Sequence, residues 1–363
     1  MLSDKIFFVT SLCVLILFSL ITYKGFGSSV DAEAYLYASE TLRNKGSLLT
    51  PYGYYTNWTP LFPALIAIFG IAVVQYGALL CNLFLLYWLG VLLLNRNSYF
   101  HFLFFVHTSF SVVFLMIHFF VWSEAWFLVF LLALVYLFLV QIQRKSLSNK
   151  ILLAMILLAN LLCLQRMAGI FFVFAFSLLI AFYFSKKQSF VFAVFGSVGL
   201  AAWFVRNSFV QSKPDFLSNI FMVSWQESLA GYARALLNAF LPSHWFSDFW
   251  ATILFFILLI LAVLLMLWHK QIVPVMSLFL CYLLIMCLLR MNVAGESERY
   301  LAPIQPLVIL SFWYALKQKF KQVTWKPLIY TLLALMMLFQ FIRTAKNVKQ
   351  WIQTPPNLIT NVL

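Results

Sequence analysis

Long apolar runs separated by short polar breaks recur from one end of the chain to the other. Apolar length and bounding charges predict helical spans near 6–22, 99–117, 124–141, 151–164, 168–184, 188–205, 249–268, 271–289, 300–316 and 327–342. These runs suit the roughly 20 apolar residues that a helix needs to cross a bilayer core. The stretch from Pro60 to Leu94 reads in two ways. It is either two short helices broken near Gln75, or a short interfacial helix (60–71) followed by one span (73–94). A helix of a dozen residues reaches only about 20 Å, and Pro60, Pro63 and Gly70 suit a helix lying at the membrane surface. The first run, Ile6–Ile21 after Lys5, has the look of a signal-peptide core with small residues at Gly27 and Ser28. Because more spans follow, an uncleaved first helix is expected. No heptad, internal repeat or low-complexity stretch appears.

Composition turns this pattern into a class. Apolar residues make up 64% of the chain and charged residues 9%, against about 25% charged in soluble domains, which excludes a water-soluble globule. The net charge of +14 raises nucleic-acid binding, but the basic residues come in twos and threes between apolar runs rather than as a patch interleaved with aromatics. No nucleic-acid partner is expected. With one span in 60–94, the loops holding Arg96, Arg144/Lys145/Lys150, Lys186/Lys187, Lys270 and Lys317/Lys319/Lys321/Lys326 join Lys5 on the cytoplasmic side, as the positive-inside rule requires. Asp31, Glu33, Glu40, Glu124, Asp215, Glu227, Asp248, Glu296 and Glu298 then lie outside, with Asp4 as the exception. The expected fold is all-α, polytopic and transmembrane, with about 11 transmembrane helices and short juxtamembrane helices in the first exterior loop. It forms a single domain over 1–343 with exterior loops 23–72 and 206–248, then a short exterior tail, 344–363. Cys13, Cys81, Cys163, Cys281 and Cys287 all fall in apolar runs without CxxC spacing, so neither a disulfide framework nor a zinc site is expected.

Candidate chemistry gathers on the exterior side. Ser28–Ser29 before Val30-Asp31-Ala32-Glu33, and Asn44-Lys45-Gly46 after it, predict a capped helix over about 31–44. Asp31 and Glu33 lie about 200° apart around it, so they do not easily face one site; both also have a plain role as first-turn acids at the helix dipole. Asn57-Trp58-Thr59-Pro60 leads into the interfacial helix, and Tyr52, Tyr54, Tyr55 and Trp58 also fit an aromatic belt. Glu124, flanked by Trp122 and Trp126 where a span begins, is costly unless it meets water, a partner or a cavity. Arg166, Arg206 and Arg299 sit at exterior span ends. Each could snorkel, yet guanidinium is suited to bidentate phosphate binding. A carboxylate that activates a hydroxyl beside cations that hold a phosphate leaving group is one reading of this set. His101, His107, His118, His244 and His269 show no metal-ligand spacing.

The motifs resemble those of a known family. An acidic segment after the first span is followed by Trp58-Thr59-Pro60-Leu61-Phe62-Pro63, Ser123-Glu124, Arg166-Met167-Ala168-Gly169, Trp203-Phe204-Val205-Arg206-Asn207 and Glu298-Arg299-Tyr300-Leu301-Ala302-Pro303. Together they look like the GT-C glycosyltransferases, most similar to protein mannosyltransferase-like and lipid A aminoarabinose transferase-like membrane enzymes. The resemblance implies a GT-C-like architecture and an inverting transfer of a sugar from a polyprenyl-phosphate donor to a lipid, glycan or protein acceptor at the non-cytoplasmic face. Carried over by position, it implies Asp31 as catalytic base and Glu124 as the second acid. Arg299 becomes a phosphate contact, and Glu33, Trp58, Arg166, Arg206 and Tyr300 become substrate-binding residues. Many relatives carry adjacent Asp-Glu where this chain has Asp31-Ala32-Glu33; the resemblance fixes no cofactor and leaves room for a divalent metal. The implied setting is a multi-pass protein of a bacterial inner membrane with its site facing outward. A polysaccharide polymerase or ligase, and a lipid or glycan transporter, are the alternatives.

Overall fold

The computed structural model describes residues 2–51, 53–210, 223–290, 296–320, 326–354 and 358–359; Tyr52, Asp215 and Lys321 lie outside them. The chain is an all-α membrane protein with two small strand pairs. In chain order its helices are α1 (Leu2–Thr22), α2 (Val30–Lys45), α3 (Leu61–Phe69), α4 (Ile71–Leu94), α5 (Tyr99–Ser109), α6 (Val112–Phe119), α7 (Glu124–Arg144), α8 (Asn149–Gln165) and α9 (Gly169–Tyr183). They continue as α10 (Lys186–Gly196), α11 (Val198–Val210), α12 (Trp225–Leu237), α13 (Asp248–Trp268), α14 (Val273–Leu289), α15 (Ser297–Leu301), α16 (Gln305–Phe320) and α17 (Lys326–Gln353). The strands are β1 (Phe26–Gly27), β2 (Leu49–Thr50), β3 (Gly53–Tyr54) and β4 (Leu358–Ile359). β1 pairs antiparallel with β4 and β2 with β3.

Among the described residues six helices are long and apolar enough to cross a membrane, or seven if α5 and α6 count as one span bent by 47°. α10 and α11 count together in that set, broken at Ser197. Helices α8, α9 and α14 are apolar but shorter. Of the two readings of 60–94, the structure has the second, a nine-residue α3 and a 24-residue α4. The tail expected from 344 begins as helix. Thr344, Val348 and Trp351 are buried along one face of α17, and this amphipathic spacing carries the helix past the apolar run to Gln353. The segment 206–248, read from sequence only as a loop, contains α12. Ser224 caps that helix through the Glu227 N–H, and the Glu227 carboxylate accepts from the Ser224 N–H at 2.9 Å, a capping box.

The chain divides into two compact units: 1–23, 86–116 and 221–355 in one, and 24–85, 117–220 and 356–363 in the other. In the first, Trp313 of α16 is fully buried and donates its indole N–H to His107 Nδ1 at 3.3 Å. The other ring nitrogen of His107 lies 2.7 Å from the Ala239 carbonyl. That carbonyl can only accept, so the imidazole carries its proton on Nε2 and both buried polar contacts are satisfied. α13 and α17 turn Ile257, Ile260, Leu267, Leu335 and Leu338 outward, as lipid-facing helices should.

In the second unit α7 is the buried axis. Phe127 and Phe138 are fully buried against Phe172 and Phe176 of α9. Polar residues fix the helices where apolar packing alone would slide. Asn82 of α4 donates to the Ala125 carbonyl at 2.9 Å. Asn160 of α8 donates to the Phe195 carbonyl at 2.7 Å and accepts from the Gly199 N–H at 2.7 Å, bridging the break between α10 and α11. A freed backbone group inside a bilayer must find such a partner.

Candidate active site

The site is built where α2 meets the segment that opens α7, inside the second unit. Ser29 starts α2: its hydroxyl accepts from the Ala32 N–H at 3.3 Å, and Gly46 closes the helix in the left-handed region at φ 66°. This cap sets the first turn, and Asp31 stands in it half-buried while Glu33 is exposed. Tyr35, four residues on from Asp31, returns to the same face and is buried.

Residues 121–123 are stitched to this element one after another. The Val121 N–H donates to the Gly27 carbonyl at 3.0 Å, the Trp122 indole N–H donates to the Ser29 hydroxyl at 2.8 Å, and the Ser123 and Tyr35 hydroxyls lie 3.3 Å apart. Gly27 has to be glycine here, because a Cβ would come within 2.8 Å of the Phe120 ring. The carbonyls of the segment are held as well: Phe120 accepts from Gln75 Nε2 at 2.6 Å and Ser123 from Gln165 Nε2 at 2.9 Å.

Glu124 follows directly. It is fully buried at the first position of α7, and its carboxylate forms an ion pair with Arg166 Nη1. The helix N-terminus favours its charge, and the guanidinium supplies the partner that a buried carboxylate needs. Arg166 stands in the tight turn between α8 and α9, closed by the Gly169 N–H to the Arg166 carbonyl at 2.9 Å. A Cβ on Gly169 would sit 2.7 Å from the Cys163 backbone nitrogen, so the Arg-x-Ala-Gly motif is the sequence that lets this turn close.

Tyr35 is the point on which these charges act together. Burial raises its phenol well above the usual value; the Asp31 and Glu124 charges raise it further, while Arg166 opposes them. Burial, then Tyr35 and Asp31, likewise raises Tyr55. Both hydroxyls therefore stay protonated. The aromatic wall continues from Tyr35, edge-on to Trp58 and Phe62, to Tyr55 stacked on Trp58 at 5.9 Å. Arg206 donates to the Tyr55 carbonyl and to Asn207 Oδ1, both at 2.9 Å, and lies 4.7 Å from the Trp203 ring centre. Asn207 adds a bond to the Thr56 carbonyl at 3.1 Å, so Arg206 and Asn207 together hold the loop that carries Trp58.

The structure thus gathers Asp31, Trp58, Glu124, Arg166 and Arg206 in one unit. Arg299 and Tyr300 belong to the other. There Arg299 is buried with its Nη1 3.5 Å from the Glu296 carboxylate, and the Tyr300 carbonyl accepts from the Tyr282 hydroxyl at 2.9 Å. Tyr35 and Gln165 were not singled out from sequence, and Ser123 only as the residue before Glu124. For Tyr35 a signal was present, the four-residue spacing from Asp31. Among the described residues no three His, Cys, Asp or Glu side chains converge; Asp31 is half-buried while Glu33 is exposed, and Glu124 is held by Arg166.

No protein-family model and no curated protein sequence matches the chain. Two solved structures share its fold. One is an Archaeoglobus fulgidus oligosaccharyltransferase in complex with Zn and sulfate, with a TM-score of 0.55 and 14% identity over 96% of this chain and 53% of that one. The other is the oligosaccharyltransferase AglB from Archaeoglobus fulgidus with an inhibitory peptide and a dolichol-phosphate, with a TM-score of 0.52 and 12% identity over 95% of this chain and 56% of that one. This chain therefore spans about half the length of the proteins it matches. At this identity the likeness is one of fold alone: an all-α membrane architecture shared with these two oligosaccharyltransferases.

Proposed function

We propose that this protein is a glycosyltransferase that moves a sugar from a polyprenyl-phosphate donor to an acceptor hydroxyl at the non-cytoplasmic face of the membrane. The observation that carries the reading is the half-buried Asp31 in the capped first turn of α2. Its charge falls on the same Tyr35 hydroxyl as those of the buried Glu124–Arg166 pair. The fold likeness to an oligosaccharyltransferase solved with a dolichol-phosphate supports a lipid-phosphate leaving group. It also fits the lack of any Gly-rich nucleotide-binding motif in the sequence.

In this reading Asp31 accepts the proton of the acceptor hydroxyl as its oxygen bonds to the anomeric carbon. The bond from that carbon to the phosphate oxygen breaks, the lipid phosphate leaves with the electron pair, and the anomeric centre inverts. A base at this step contributes about 10²–10⁴-fold. Glu124 shapes the site through Arg166 and Ser123 rather than taking the proton. Trp58 offers a ring face for the sugar, and Arg206 sets its loop. The roles of Arg299 as a phosphate contact, and of Glu33 and Tyr300 in substrate binding, rest on the sequence motifs. Eleven crossings with a cytoplasmic N-terminus, in a bacterial inner membrane, complete the proposal.

Mass spectrometry of lipids and glycans from cells with and without this chain tests the function. Loss of one glycosylated product, with build-up of a polyprenyl-phosphate sugar, is expected on deletion. Unchanged glycans and lipid carriers together with a defect in solute or lipid movement would replace this reading with a transporter.

A further inference from the structure

An apolar groove of about 780 Å³ lies within the first unit, inside the range of ligand sites. Leu237 of α12, Leu261 of α13, Phe279 of α14, Phe312 and Ala315 of α16 and Leu332 of α17 line it. Leu261 and Leu332 are exposed, so the groove opens sideways, where the surrounding solvent is lipid. Its wall is not uniform. Ser311 spends its hydroxyl on the Leu307 carbonyl at 2.7 Å, and Lys319 is the charged lining residue, its Nζ 4.7 Å from the centre of the Trp268 ring.

The charge around that mouth has one sign. Lys270 follows Trp268, Lys317 and Lys319 end α16, Lys326 begins α17, and neither 263–275 nor 312–335 contains a carboxylate. An occupant must therefore combine a long apolar chain with an anionic head at the Trp268–Lys319 end, which the distribution of basic loops assigns to the cytoplasmic side. Basic pockets between helices on that side recruit acidic lipid heads. We propose that this groove is a binding site for one anionic phospholipid of the cytoplasmic leaflet, its phosphate on Lys319 and an acyl chain along α13, α16 and α17. The proposal does not depend on the proposed catalysis.

Native mass spectrometry of the purified full chain, offered equimolar phosphatidylglycerol and phosphatidylcholine, tests the proposal. A single phosphatidylglycerol adduct favoured about fivefold is expected from one lysine contact. Lys319→Gln should bring the two lipids to parity, and Ala315→Trp should remove the adduct by filling the groove. Parity in the unaltered protein, or an unchanged preference in Lys319→Gln, would overturn the site. Displacement of phosphatidylglycerol by an equimolar polyprenyl phosphate would overturn the occupant. Should Ala315→Trp lose its thermal transition, the Lys319→Gln result decides alone.

Discussion

Glu124 shows how a single residue can be read correctly as costly and still leave its partner hidden. Its burial is complete, and the neutralising charge comes from Arg166, a neighbour remote in sequence. Breaking such a pair on one side strands the other charge, at about 3–5 kcal/mol, whereas removing both partners together costs much less. Glu124→Gln is therefore expected to lower the thermal midpoint of the detergent-solubilised protein more than the double variant Glu124→Gln/Arg166→Met does. Equal midpoints for the two would mean that the pair contributes nothing. Glu40, exposed at the far end of α2, sets the contrast at the same scale. Glu40→Gln should leave both stability and transfer within about twofold of the unaltered protein, as a rate assay and a melting curve would show. Tyr35, a protonated donor beside Asp31, was readable only through the period of the helix it sits on, which turns Glu33 away and brings Tyr35 round.

At the scale of elements, the site depends on how closely helices and turns approach. Gly169 allows the turn after α8 to close against the Cys163 backbone. Gly169→Ala should cost about 1–3 kcal/mol as an overpacked contact and shift Arg166 along with it, measurable as a lower unfolding midpoint with a reduced transfer rate. Asn160→Leu, which removes the bridge across the break between α10 and α11, should cost a similar amount by taking the side-chain partner from the Phe195 carbonyl and the Gly199 N–H within an apolar surrounding. It should also speed proteolysis near Ser197; proteolysis unchanged there would count against the bridge. Elements with explicit end signals were legible. The capped helix expected over 31–44 is found at Val30–Lys45, and the interfacial helix expected over 60–71 at Leu61–Phe69. The breaks at Phe110–Ser111 and Ser197 were not, because a run that is apolar all round carries no period to mark where it bends. α12 was missed although its Ser224-x-x-Glu227 box was there to be read; its short amphipathic run lies in a segment read only as an exterior loop.

Across the whole molecule, long apolar runs with little charge gave the membrane class directly, and the structural comparisons add a fold shared with two oligosaccharyltransferases. Neither pattern could reveal the division into two compact units or the partner of each charge, since both depend on contacts between segments far apart in the chain. The sidedness that charge predicts can be checked with cysteines introduced at Glu40 and Lys145 in a cysteine-free background. An impermeant maleimide should label the first in intact cells and the second only after lysis; the reverse pattern would invert the proposed topology. The proposed role of Asp31 as the base of a glycosyl transfer is tested most directly by the turnover of purified protein on a polyprenyl-phosphate sugar, with Asp31→Asn beside the unaltered chain at matched folding. A loss of about 10²–10⁴-fold with an unchanged melting midpoint is expected; turnover by Asp31→Asn equal to that of the unaltered protein would show that Asp31 is not the base.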